Sequence, residues 1–195
     1  FPETIDKISN ELTPMVATAR LIKQEHPDAS VVFIGPCASK KLEASRRTVR
    51  SDVDFVITFE ELTGMFEAKG ILLDEIKAMD EMKDATAAGR GYGVAGGVAN
   101  AIKECIEQYY PGTPVNIQHA ESLAECKKAL LLAKAGKMNG CLIEGMACPG
   151  GCIAGAGTNI AIPVAARAVD KFKNEAEKKV PDESVDQEMV ELEKE

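Results

Sequence analysis

Six cysteines stand among 195 residues, and three of them, Cys37, Cys148 and Cys152, occupy positions from which a thiolate could hold metal. Cys148 and Cys152 flank Pro149-Gly150-Gly151, and more glycines and small residues follow as far as Thr158. Cys37 ends the tripeptide Gly35-Pro36-Cys37, directly after the apolar run Val31-Val32-Phe33-Ile34. Glycine lets the backbone bend closely around whatever the sulfurs hold, and such a turn aims amide hydrogens inward. Thiolates, close backbone and inward amides are what an iron–sulfur cluster needs. Lys40 and Lys41, just past Cys37, add positive charge beside an anionic group.

Both cysteine turns need a strand to present them. Residues 31–34 are β-branched and aromatic, and the spacing predicts a buried strand that stops at Cys37. Cys141-Leu142-Ile143 predicts another, running into the turn of Cys148. In open α/β sheets ligands collect at the carboxyl ends of strands, so two strand–turn–cysteine units could bring three thiolates together. Further strands are predicted at 54–57 and 115–119.

Helices are predicted between the strands. Thr13-Pro14 starts one to Glu25, with Met15, Ala19 and Ile22 on its buried face, and His26-Pro27 ends it. A short helix follows over 39–45. Thr58 with Glu61, and Ser122 with Glu125, are capping boxes for helices reaching Ala68 and Gly136. Leu123, Ala124, Leu130 and Leu131 suit the buried face of the second. Residues 98–108 and 163–178 also read as helices, and Asp74 to Asp84 as an acidic, solvated one. Gly91, Gly93 and Gly96 spell a dinucleotide-type glycine pattern, but no strand precedes it, so a loop of close backbone approach fits better.

Alternating strands and helices predict an α/β fold: parallel sheets flanked by helices, in two related lobes with the cofactor site between them. The lobes are placed at roughly 1–84 and 85–178, with an acidic tail over 179–195. A net charge of −8 with interspersed signs argues against nucleic acid. There is no apolar stretch of membrane-spanning length and no signal peptide, so the expected location is cytoplasmic. Phe1 is not an initiator methionine, which suggests a fragment of something longer.

Cys105 and Cys126 fall in predicted helices and Cys141 opens a strand, all three reading as core. His26 and His119 stand in no catalytic context. That leaves three thiolates where a cuboidal cluster normally takes four. Either Cys141 moves in, or the fourth ligand lies outside the chain. A zinc site is the structural alternative, although Cys37 lacks the close cysteine neighbour that zinc spacings usually show.

Gly35-Pro36-Cys37-Ala38-Ser39-Lys40-Lys41-Leu42-Glu43-Ala44 resembles the second signature of the iron-only (di-iron) hydrogenases, and Glu144 to Cys152 is similar to their third. Tyr92-Gly93-Val94-Ala95-Gly96-Gly97-Val98 resembles a glycine segment those enzymes carry between the two. The resemblance covers about residues 1–170. It implies an H-cluster: a four-iron four-sulfur cube bridged to a di-iron unit bearing carbonyl, cyanide and a dithiolate bridge. By matched position Cys37, Cys148 and Cys152 bind the cube, with Cys152 bridging to the di-iron unit. Lys40 hydrogen-bonds a cyanide, Met146 packs beside the di-iron unit, Glu43 pairs with a nearby lysine, and Thr13 aligns with a proton-relay serine.

The resemblance further implies reversible hydrogen oxidation and proton reduction in an anaerobe. The implied electron partner is ferredoxin or N-terminal iron–sulfur domains, and hydrogenase maturation proteins would supply the cofactor. The sequence departs from the family in places. Its first cysteine signature is missing, and the chain begins just after where that would stand, so by itself the chain is expected to be inactive. Gly35 replaces a methionine, and Ala156 and Thr158 stand where glycine and glutamine are usual. These changes resemble the sensory members. The alternative is a non-enzymatic redox or assembly protein that binds only the cube.

Overall fold

The computed structural model describes residues 1–46, 49–77 and 85–181. They group into two compact units, one of Ser9–Met79 with Gly155–Asn159, the other of Phe1–Ile8, Asp80–Ala154 and Ile160–Pro181.

The first unit opens with α1 (Pro14–Glu25), Pro14 standing at the first helical position as expected. It continues through β1 (Val32–Ile34), α2 (Ser39–Ser45), β2 (Phe55–Ile57) and α3 (Phe59–Ala68). The strands pair in parallel, Val32 opposite Phe55 and Ile34 opposite Ile57. Alternation turns Phe33 and Val56 onto the core of Met15, Val16, Ala19 and Val53. Val32, Ile34 and Phe55, one residue out of phase with them, are exposed. The Thr58–Glu61 capping box forms in full, and Gly70, at φ +66°, takes the left-handed turn that closes α3.

The acidic helix expected over 74–84 is not formed in its described part, which holds only a 3-10 turn, Leu73–Glu75; residues 78–84 lie outside the described residues. Leu72, Leu73 and Ile76 are each more than half exposed, so no buried face offsets the cost of helix formation.

The second unit holds a 3-10 turn at Pro2–Lys7 that the sequence did not announce, then α4 (Ala87–Arg90), α5 (Gly97–Tyr109), β3 (Asn116–Glu121), α6 (Leu123–Lys134), β4 (Cys141–Met146) and α7 (Ile162–Asn174). β3 and β4 are parallel, in register from Asn116 opposite Cys141 to Glu121 opposite Met146. Both run past their expected ends, because each supplies the other's ladder partners.

The buried face of α6 is Ala129 and Ala133 rather than its leucines; Leu123 and Leu131 are exposed. Small side chains allow the helix to sit close to the strands, which hydropathy alone does not reveal. α7 stops four residues before Lys178. The chain leaves the helix there because the carbonyls of Lys178 and Lys179 accept the N–H groups of Ala87 and Ala88 at 2.8 Å, satisfying the start of α4. Val180 is then buried with Ala88 and Ala101. Parallel strands flanked by helices are thus present in both units, as the α/β expectation requires. No helix among the described residues is long and apolar enough to cross a membrane.

Candidate functional site

Cys37 follows β1 at a partly buried position, where the sequence placed it. Its loop is stitched down through Pro36, whose carbonyl accepts the N–H of Gly157 at 2.9 Å. Gly157 in turn accepts from the N–H of Glu60, in the first turn of α3, at 3.1 Å. A Cβ on Gly157 would lie 2.4 Å from Cβ of Thr58, so only glycine fits there. Gly35 is covered by its neighbour: a Cβ there would meet the ring of Phe33 at 2.9 Å.

One turn beyond Cys37, α2 carries Lys40 and Glu43. Lys40 Nζ donates to Glu43 Oε2 at 2.6 Å, and Thr13 Oγ1 donates to Glu43 Oε1 at 2.5 Å. Thr13 therefore does not cap α1 with its hydroxyl, as its position before Pro14 suggested. Both oxygens of Glu43 are engaged, one to each partner. The ammonium has three donors, and one goes to Glu43. Lys41 is separate, pairing with Glu61 at 2.6 Å.

In the second unit Met146 ends β4, partly buried opposite Glu121. Cys148 is partly buried and Cys152, opening a short 3-10 turn, is exposed. Gly150 and Gly151, at φ +95° and +89°, fold the backbone between them. Both amide groups of Gly150 are engaged: its N–H donates to Glu121 Oε2 at 2.9 Å and its carbonyl accepts from Ala95 at 3.1 Å. A Cβ on Gly151 would strike Ala95 N at 2.4 Å. The glycine-rich loop 91–97 thus lies backbone to backbone against the cysteine turn. It is a loop of close approach, as read, and no dinucleotide fingerprint.

Glu144 holds that loop in place. Buried in β4, its carboxylate accepts from Gly96 N at 2.5 Å, Val98 N at 3.0 Å and Ala99 N at 3.1 Å, at the start of the 13-residue α5. A carboxylate at a helix N-terminus suits the helix dipole as well as the open amides. His119 Nδ1 lies 3.4 Å from Glu144 Oε2, its side chain exposed. Sequence reading gave no role to Glu144 or Glu121. The available signal was a lone carboxylate inside the apolar run 141–146.

Cys37, Lys40 and Glu43 thus belong to one unit, and Met146, Cys148 and Cys152 to the other. Among the described residues of either unit taken alone, no three His, Cys, Asp or Glu side chains group to hold a metal ion. None of the six cysteines is in a disulfide. Reduced thiols in glycine cradles that a Cβ would fill match the donor chemistry of an iron–sulfur group. Lys40, three residues after one of them, has an ammonium that suits an anionic ligand.

The family of the iron-only hydrogenase large subunit, C-terminal domain, matches residues 1–156. The chain belongs to this family. As an iron-only hydrogenase domain it is 29% identical, over 88% of its length, to the periplasmic Fe hydrogenase large subunit of Nitratidesulfovibrio vulgaris. It is 25% identical, over 80% of its length, to iron hydrogenase 1 of Clostridium pasteurianum. The hydrogenase domain spans 50% of the first relative and 34% of the second. A 64-residue stretch, 33% of the chain and 14% of the relative, is 41% identical to a cytosolic Fe-S cluster assembly factor of Kluyveromyces lactis. In fold the domain is similar to an apo FeFe-hydrogenase variant from Chlamydomonas reinhardtii, with a TM-score of 0.68 at 21% identity, covering 98% of this chain and 66% of that one.

Proposed function

We propose that this hydrogenase domain contributes part of an H-cluster site in a protein that interconverts hydrogen with protons and electrons. The observation that carries the reading is the setting of its cysteines: Cys37, Cys148 and Cys152 all lie in glycine turns just past parallel strands, with Lys40 tethered by Glu43 one turn beyond Cys37. In this reading Cys37, Cys148 and Cys152 would hold the cube, Cys152 being the one nearest the di-iron unit, Lys40 would donate to an anionic cyanide and Met146 would lie beside the same unit. When bound, that group supplies the splitting of hydrogen and the uptake of its electrons. The chain's own work is to hold the ligands, exclude bulk at Gly150 and Gly151, and keep an ammonium oriented toward an anion.

Three thiolates are one short of a cube's usual set, so the chain alone is proposed to be inactive. Its proposed electron partner is ferredoxin or an N-terminal iron–sulfur domain, its cofactor comes from maturation proteins, and its proposed compartment is the cytoplasm, although one relative is named periplasmic. Sensing rather than fast turnover is favoured by Gly35, which stands where the family has a methionine and where the Phe33 ring leaves no room for a Cβ.

A second reading, a cube-only redox or assembly protein, is favoured by the local likeness to the cluster assembly factor. Iron, sulfide and infrared measurements after anaerobic co-expression with maturation proteins separate the two. Carbonyl and cyanide bands with about six irons, a cube of four and a pair, support the hydrogenase reading. About four irons without those bands overturn it in favour of the second. Stoichiometric zinc without iron overturns both.

A further inference from the structure

We propose that Glu121 tunes how readily a cluster held by Cys148 and Cys152 accepts an electron; the assignment rests on the cluster reading above. Glu121 is the last residue of β3, opposite Met146. Beyond it Ser122 takes φ +114° and donates its N–H to the Met146 carbonyl at 2.8 Å, which turns the chain off the strand beside the cysteine loop. From there the Glu121 carboxylate accepts the N–H of Gly150, the middle residue between Cys148 and Cys152, at 2.9 Å.

Two consequences meet at that hydrogen bond. Amide hydrogens directed at cluster sulfurs stabilise the negative charge gained on reduction, and hydrogen bonding is one of the protein's means of setting cluster potential. The Gly150 N–H is instead committed to a carboxylate. That carboxylate also places a formal negative charge one hydrogen bond from the cysteine turn. No lysine or arginine among the described residues pairs with Glu121; its own N–H is held by a second carboxylate, Glu125 Oε2, at 2.8 Å. Taking one electron from an external reductant adds one negative charge to the cluster, and both effects oppose it. Glu121 therefore holds the potential low.

The test is a dithionite titration, followed by electron paramagnetic resonance, of the full chain after anaerobic reconstitution with iron and sulfide. Wild type, Glu121→Gln and Glu121→Ala are compared, with iron content measured on each sample. Glutamine keeps an oxygen for the Gly150 N–H and removes the charge, so the midpoint should move to a more positive value with iron content unchanged. Alanine also frees the N–H, and its shift should be larger. The gap between wild type and Glu121→Gln should narrow as salt is raised, which a purely structural role would not produce. Equal midpoints in all three proteins at equal iron content overturn the assignment of Glu121 and leave the cluster reading standing. Failure of the wild type itself to take up iron, even with an external thiol present to fill the fourth ligand position, overturns both.

Discussion

Thr13 Oγ1 donates to Glu43 Oε1 across 2.5 Å, and this bond joins the start of α1 to the middle of α2. Glu43 spends its other oxygen on Lys40, so the three side chains form one chain of charge-assisted hydrogen bonds ending at the ammonium behind Cys37. Replacing Thr13 by Val removes one partner of a mostly buried carboxylate while keeping the shape. Hydrogen bonds to charged groups put the loss at about 1.5–3 kcal/mol, read from urea unfolding. Thr13→Ser should recover most of it. If Thr13→Val unfolds at the wild-type midpoint, the bond contributes nothing to stability.

Glu144 is the acceptor for three amides at the start of α5. Glu144→Ala leaves those largely buried donors without their acceptor, at about 1–3 kcal/mol each and less than three times that in sum. The expected result is a loss of about 3 kcal/mol or more, with hydrogen exchange at Gly96, Val98 and Ala99 accelerated more than at the far end of α5. Uniform acceleration along the helix would point to global destabilisation alone and remove Glu144 from its place as the anchor of the loop.

Gly157 admits no side chain. With Thr58 Cβ 2.4 Å from where its own Cβ would be built, Gly157→Ala must push α3 or the Cys37 loop outward. Overpacking of this kind costs about 1–3 kcal/mol. The same variant should raise the reactivity of Cys37 toward a thiol reagent, because the bond from Gly157 to Pro36 is strained in the process. Unchanged stability together with unchanged Cys37 reactivity would mean that the loop yields freely.

The Lys41 ammonium, first, and the Thr58 N–H, second, hold the Glu61 carboxyl down at about 2 from its ordinary 4.5. A carboxyl lowered in the folded state lends stability that is complete above the ordinary value and is lost as pH falls toward the lowered one. α3 should therefore keep its capped start down to about pH 4.5 and lose that contribution progressively toward pH 2. Lys41→Met should raise the Glu61 value, as read by carboxyl-carbon NMR titration. The pair is exposed, so the effect on global stability is small. An unchanged titration in the variant would assign the shift to the Thr58 N–H instead.

Local signals in the sequence carried the architecture. Thr58 and Glu61 announce α3, Pro14 announces α1, and the β-branched and aromatic run before Cys37 and the short apolar run before Cys148 announce their strands, because each depends on neighbours within a few residues. The α6 interface was misread because leucine is the stronger hydrophobe, whereas the close approach is made by Ala129 and Ala133. The end of α7 was missed because it is set by Ala87 and Ala88, some ninety residues away in the chain. The site divides in the same way. The proposed ligands Cys37, Cys148 and Cys152, and Lys40, stand out in the sequence by type and spacing. Glu121 and Glu144 act on the amides of Gly150 and of residues 96–99; Glu144 shows only as a lone carboxylate in an apolar run, and the distant backbone that either one holds leaves no pattern in sequence.

Under the proposed cluster reading, the double engagement of Gly150 has a bearing on how metal would be taken up. With its N–H on Glu121 and its carbonyl on Ala95, the span from Cys148 to Cys152 is held in shape by the protein's own hydrogen bonds. The entropy of ordering that span is lost at folding, and little remains to be lost when sulfur meets iron. Small zinc modules behave in the opposite way, since there the metal itself drives the chain to fold. In this domain the metal-free chain should stay folded around its cysteine turn, so that a cluster of the proposed kind would enter or leave without rebuilding the polypeptide.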